Sequence, residues 1–145
     1  MKIQLDNQIM VKIKDILSKN FIDKANVSDR TKEAQQLLKQ LEKDLSINTL
    51  SFEEPVKGAD NEKFDIFDAE AQTVYEIKLS GKNIGHEYYK DLFKVLVHNK
   101  SATLKIKRFV FVTEKNALIK FRSKKLLSQI ELLLKPEFEL DFIEF

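Results

Sequence analysis

The strongest constraint on this fold lies in two short runs, Lys63-Phe64-Asp65-Ile66-Phe67-Asp68 and Thr73-Val74-Tyr75-Glu76-Ile77-Lys78-Leu79, separated only by a polar turn around Ala69 to Gln72. Both are dense in aromatic and β-branched residues, as strands are, and the gap suits a hairpin. Both read as buried, yet each carries ionisable residues at its middle. Charges are costly to bury unless they are paired or bind a metal. Residues two apart in a strand share a face, so Glu76 and Lys78 point the same way as Val74, and Asp65 points with Phe67. Pairing through the turn brings Asp65 near Glu76. Two carboxylates and one ammonium then meet at one place. The plain alternative is an edge hairpin whose polar face meets water, with Glu76 and Lys78 as an ion pair worth ~0.2–1 kcal/mol.

Helical spacing frames this hairpin. Ile9, Ile13, Ile16 and Leu17 predict a first helix from about Asp6 to Asn20. Ser28 or Asp29 offers an N-cap for a second, with Ala34, Leu37, Leu38, Leu41 and Leu45 in one stripe. A short extended run from Ile47 to Phe52 ends at Glu53-Glu54-Pro55. After the hairpin, Ser80-Gly81-Lys82-Asn83 breaks the pattern, and Tyr88 or Tyr89, Leu92, Phe93, Leu96 and Val97 mark a third helix from about Gly85 to Asn99. Arg108 to Thr113 reads as a buried strand. Asn116 can cap a following helix or helix pair running to about Leu134. Pro136 ends it, and Phe138 to Phe145 alternates as a last strand. This order predicts one α/β domain over residues 1–145, a central mixed β-sheet flanked by helices.

Composition narrows the chemistry. The chain has 145 residues, 43% hydrophobic and 33% charged, which fits one globular domain with a real core. With no cysteine, disulfide scaffolds, thiolate metal sites and cysteine nucleophiles are excluded. No signal peptide is read at the N-terminus, and no apolar run approaches the ~20 residues that span a bilayer. A cytoplasmic protein is expected, with no membrane partner. His86 and His98 lack metal-ligand spacing, Ser80 lacks triad partners, and there is no phosphate-cradling glycine loop. The formal net charge of +2 hides an asymmetry: Glu114 is the one acid among many bases from Lys100 to Lys125, whereas the last stretch is acidic. Such a split can attract a polyanion to one surface, or be a solvated lysine-rich helix face.

Asp65, Glu76 and Lys78 suit phosphodiester hydrolysis. Two carboxylates are hard oxygen ligands for Mg²⁺ (or Mn²⁺), with the Ile77 carbonyl as a further ligand. Bound metal lowers the pKa of a water and polarises phosphoryl oxygens, and a lysine beside it offsets charge building on the phosphate. Asp65, a hairpin turn, then Glu76-Ile77-Lys78 directly before a helix resembles the PD-(D/E)xK nuclease superfamily. Glu76-Ile77-Lys78 is the single acid-x-Lys triplet in the chain. The resemblance covers about residues 29–113 and implies a restriction-endonuclease-like core. It further implies Asp65 and Glu76 as metal ligands, Lys78 as the catalytic lysine, and an additional acid from the first core helix. Glu33 is the candidate, with Glu42 and Glu53 behind it. Phe64 stands where the family often has proline, and Asp60 is a competing acid that reads as lying in a loop.

The function so implied is metal-dependent endonucleolytic cleavage of double-stranded or branched DNA, of restriction type or otherwise site-selective. A junction resolvase, homing or repair nuclease and an RNA-cutting toxin are alternatives on the same scaffold. A non-catalytic nucleic-acid-binding or protein-interaction module is the alternative of another class. Lys82, Lys90, Lys94, Lys120, Arg122 and Lys124 are candidate phosphate contacts. Tyr88 and Tyr89 read as packing groups rather than base-stacking ones. Cutting both strands is simplest for a symmetric homodimer, with the first helix as its contact.

Overall fold

Period-two alternation along the central strands sends one set of side chains to each side of a sheet, and the helices cover both. The computed structural model describes residues 2–20, 27–45, 49–79 and 82–145. Its elements run α1 (Lys2–Asn20), α2 (Val27–Leu45), β1 (Leu50–Pro55), β2 (Lys63–Asp68), β3 (Thr73–Lys78), α3 (Ile84–Ser101), β4 (Arg108–Thr113), α4 (Ile119–Arg122), α5 (Lys125–Leu134) and β5 (Glu139–Glu144). The strands form one mixed sheet in the order β1-β2-β3-β4-β5. β1, β2 and β3 are an antiparallel meander, whereas β4 runs parallel to β3 and β5 parallel to β4. Parallel neighbours need a crossover, which α3 supplies for the first pair and α4 with α5 for the second.

On one face Val74, Phe109 and Phe111 meet Ile84, Tyr88, Leu92 and Val95 of α3, with Phe121 and Leu127 from α4 and α5. On the other, Tyr75, Ile77, Val110 and Val112 meet Ile9, Ile13 and Ile16 of α1 and Leu37, Leu41 and Leu45 of α2. β4 is buried at every position, as a central strand covered on both sides must be. α1 is also held by charge. Arg108 donates to Asp6 through two nitrogens, at 3.0 and 2.6 Å, and to Asp141 at 2.5 Å. The Tyr75 hydroxyl donates to Asp6 at 2.8 Å. The apolar stripe of α1 thus packs on the sheet, and Val11 is exposed on the outer side of the helix. Larger exposed apolar side chains lie on α5, at Leu126, Leu132 and Leu133.

Several boundaries differ from expectation. β1 continues to Pro55 instead of ending at Glu53-Glu54, because Glu53 enters the left-handed region (φ 52°) and lets the strand resume. Ile47, the expected start of that strand, lies outside the described residues, as do Ser80 and Gly81. α2 begins at Val27, ahead of the expected caps Ser28 and Asp29. Asn116 does not cap α4. It turns the chain at φ 73°, and Leu118 occupies the capping position. Among the described residues, no helix is long and apolar enough to cross a membrane.

Candidate active site

Hydrogen bonding around Asp65 explains how an acid fits inside a sheet. The β1–β2 ladder pairs Phe52 with Ile66 and Glu54 with Phe64, passing over Glu53 and Asp65. The β2–β3 ladder runs from Asp68↔Thr73 to Ile66↔Tyr75 and goes no further. At the interruption the Asp65 side chain replaces the missing ladder bond: its Oδ2 accepts from the Ile77 N–H at 2.8 Å. Phe64 also turns across the kink, so that both it and Phe67 pack on the α3 face.

Val74, Glu76 and Lys78 share that face by strand alternation. Asp65 lies one position beyond the Ile66↔Tyr75 pair and reaches the same place, close enough for its charge to act on Glu76. Glu76 is only 1% exposed, and burial, then Asp65 and Asp91, push its carboxyl well above the usual carboxylate range despite the nearby Lys94. Burial also raises Asp65, and this outweighs the lowering by the Ile77 N–H and by Lys78.

α3 completes the cluster with residues the sequence reading left out or placed elsewhere. Glu87, Asp91 and Lys94 recur at four-and-three spacing, so one stripe of the helix faces the end of β3. Lys78 Nζ lies 3.2 Å from Glu87 and 3.3 Å from Asp91. Lys94 Nζ lies 2.6 Å from Glu76 Oε1 and 3.1 Å from Asp91, and donates to the Lys63 carbonyl at 2.7 Å. Lys94, expected on the surface as a phosphate contact, is instead 9% exposed and bound into the centre. Burial pulls both lysines down, but the surrounding carboxylates outweigh it and hold them above their ordinary value. Asp91, 1% exposed in mid-helix, was legible as an anomaly: an acid among Tyr88, Leu92 and Val95 needs a buried cation.

Four carboxylates (Asp65, Glu76, Glu87, Asp91) thus face two ammoniums, leaving two formal negative charges in excess. The 2.6 Å approach of Lys94 to Glu76 Oε1 lacks hydrogen-bond alignment, so that oxygen and Asp91 Oδ2 are buried without a hydrogen bond among the described residues. Among those residues no group of three or more His, Cys, Asp or Glu is arranged to hold a metal ion. The donor set therefore does not make an all-protein cage; Asp65 and Glu76 are the two carboxyls that an ion keeping most of its waters would need.

The remaining candidates are dispersed. Glu33 lines a groove between α1 and α2 with Ile16, Leu17 and Gln36, in the layer on the far side of the sheet, and does not reach the centre. Glu42, Glu53 and Asp60 are exposed. Ile77 serves the cluster through its N–H. Lys82 and Lys90 are exposed at the start and outer side of α3, and Lys120, Arg122 and Lys124 are exposed around α4. Arg122 covers the Phe142 ring at 5.1 Å. Phe121 packs on Tyr88 and Tyr89 at 5.1 and 5.7 Å, which sets α4 against the first half of α3. His98 is structural: its Nδ1 accepts the Lys57 N–H at 3.1 Å and its Nε2 lies 3.3 Å from the Leu104 carbonyl. In comparisons with known proteins, no family model matches the chain, and no curated protein or solved structure matches it.

Proposed function

We propose that this chain is a metal-dependent endonuclease with a restriction-endonuclease-like core, hydrolysing DNA phosphodiester bonds at the end of β3. The observation that carries the reading is the convergence of Asp65 and Glu76, from neighbouring strands, on a buried point with excess negative charge and Lys78 alongside. A structural ion-pair network is expected to balance its charges, because unpaired buried charge is costly. Here acids outnumber bases, Glu76 is pushed toward its neutral form by burial and by Asp65 and Asp91, and a divalent cation would relieve that repulsion.

Asp65 and Glu76 would hold Mg²⁺ or Mn²⁺. When bound, such an ion activates a water and polarises the phosphate. Lys78, held in its protonated form, acts as a fixed positive charge and not as a base, offsetting negative charge that builds on the phosphoryl oxygens. Asp91 orients both ammoniums, with one oxygen toward Lys94 and the other toward Lys78. Lys120, Arg122 and Lys124 supply phosphate contact beside the centre, which makes binding fall as salt rises.

The test is incubation with supercoiled plasmid, branched DNA and RNA, each with Mg²⁺, with Mn²⁺ and with chelator. Cleavage of DNA that needs metal and is lost in Lys78→Ala, while DNA binding persists, supports the proposal. Cleavage undiminished in chelator, or no cleavage of any DNA, refutes it. Preference for RNA would identify the RNA-cutting alternative.

A further inference from the structure

α3 has a third face. One side packs in the core through Ile84, Tyr88, Leu92 and Val95, and the adjoining side presents Glu87, Asp91 and Lys94 to the centre. Next around the helix, His86, Tyr89, Lys90, Phe93, Lys94 and Val97 recur at three-and-four spacing and line a groove of about 460 Å³. Ala59 and Glu62, from the loop joining β1 to β2, form its other wall. Phe93 is 64% exposed and Val97 38%, on a helix whose core-facing side is already filled.

We infer that this groove binds an unpaired DNA strand and leads it to the cleavage centre, an assignment that rests on the reading of Asp65, Glu76 and Lys78 given above. Aromatic side chains interleaved with cations are what an unpaired strand requires: bases stack on the rings while the backbone follows the positive charge. Lys90 stands between Tyr89 and Phe93 along one helix face, which provides that alternation. Glu62 repels phosphate from the opposite wall, so the backbone lies along the α3 side and the bases lie over Phe93. An intact duplex fits poorly, since its base faces are stacked on one another and it would leave Phe93 and Val97 against water and phosphate. Lys94 lines the groove and also lies 2.6 Å from Glu76, so the path ends at the acids. The substrate class is thus DNA with unpaired nucleotides beside the cut: single-stranded, frayed or branched.

The chain contains no tryptophan, so Phe93→Trp places the single indole of the protein in this groove. Its emission is followed during titration with oligothymidylate and with a duplex of equal length, both in chelator to prevent cutting. Quenching by the single strand and not by the duplex is expected. In parallel, fluorescence anisotropy of labelled oligothymidylate with Phe93→Ala should show affinity about tenfold weaker, the scale of one lost stacking contact. Lys90→Ala should reduce the slope of log affinity against log salt by about 0.7, one single-strand phosphate. Circular dichroism and melting of each variant keep folding separate from binding. Absence of quenching, equal quenching by duplex, or unchanged affinity in Phe93→Ala overturns the inference. Because these measurements need no catalysis, quenching without any metal-dependent cleavage would sink the nuclease reading alone. Cleavage of continuous duplex without quenching would sink this one alone.

Discussion

Replacing Glu76 by glutamine tests whether the acid cluster exists for chemistry or for stability. Glu76 is 1% exposed, has Asp65 and Asp91 as acidic neighbours, and has one close cation, Lys94 at 2.6 Å. The amide matches the carboxyl in shape. Its oxygen can face Lys94 and its NH₂ can face Asp65. What changes is that the folded, metal-free protein no longer accommodates an acid in a site already rich in negative charge. Neutralising such a group is worth about 1–3 kcal/mol in favour of the fold. At roughly 3–4 °C per kcal/mol for a domain of this size, the melting temperature should rise by about 3–10 °C. The assay is calorimetric or dichroic melting at neutral pH, with and without divalent metal. Metal should raise the melting temperature of the unmodified protein, because an ion that binds only the folded state stabilises it, and the glutamine variant should lose most of that rise. DNA cleavage should vanish in the same variant. A lower melting temperature for Glu76→Gln in chelator would show that the Glu76–Lys94 pair holds the fold together, and the argument from excess charge would fail.

Other perturbations follow from the rest of the molecule. Asp6→Ala removes the acceptor of two Arg108 bonds and of the Tyr75 hydroxyl; with Asp141 still paired to Arg108, a loss of about 2–3 kcal/mol is expected from urea unfolding, and a loss below ~0.5 kcal/mol refutes the anchoring role. His98 is held neutral, its pKa lowered from 6.5 chiefly by burial, so the unfolded chain binds the proton first. Its contribution to stability is complete above about pH 6.5 and is lost as pH falls below that value; the urea midpoint of the unmodified protein should drop there relative to His98→Gln, and parallel curves for the two would refute the assignment. Leu126 and Leu133 of α5 are exposed one heptad apart, and a homodimer is predicted to close through them. Sedimentation should give a dimer that Leu126→Glu with Leu133→Glu converts to monomer, and a monomeric unmodified protein would exclude this contact.

Much of the architecture was readable because its signals are local. The apolar stripes of α1, α2 and α3, the hairpin of β2 and β3, and the run Arg108 to Thr113 each follow from a repeat of two or three-to-four residues. Strand ends were less readable where one residue changes the outcome, as Glu53 does by taking a positive φ. Within the site, Asp65, Glu76 and Lys78 were visible because charge interrupts apolar strands. Glu33 was drawn from a family pattern, and the layer in which α2 packs separates it from the others. Lys94 was read as a surface lysine since its partners are distant in sequence: Glu76 precedes it by a loop and nearly three helix turns, and the Lys63 carbonyl lies on another strand. Asp91 carried a readable signal, an acid at a core position, but no local rule names its cation.

The broken ladder at Asp65 divides the mechanical frame of the centre in two. Asp65 travels with the β1–β2 hairpin, whereas Glu76 and Lys78 belong to the block formed by the parallel strands and α3. The hairpin is stitched to that block by the pairs from Asp68↔Thr73 to Ile66↔Tyr75 and, at its far end, by Gly58, whose positive φ (82°) and close approach to Ser101 leave no room for a side chain. The spacing of the two acids is therefore governed partly by a loop docked at the opposite end of α3. An alanine at Gly58 would push that loop away and open the jaw between Asp65 and Glu76 without altering either acid.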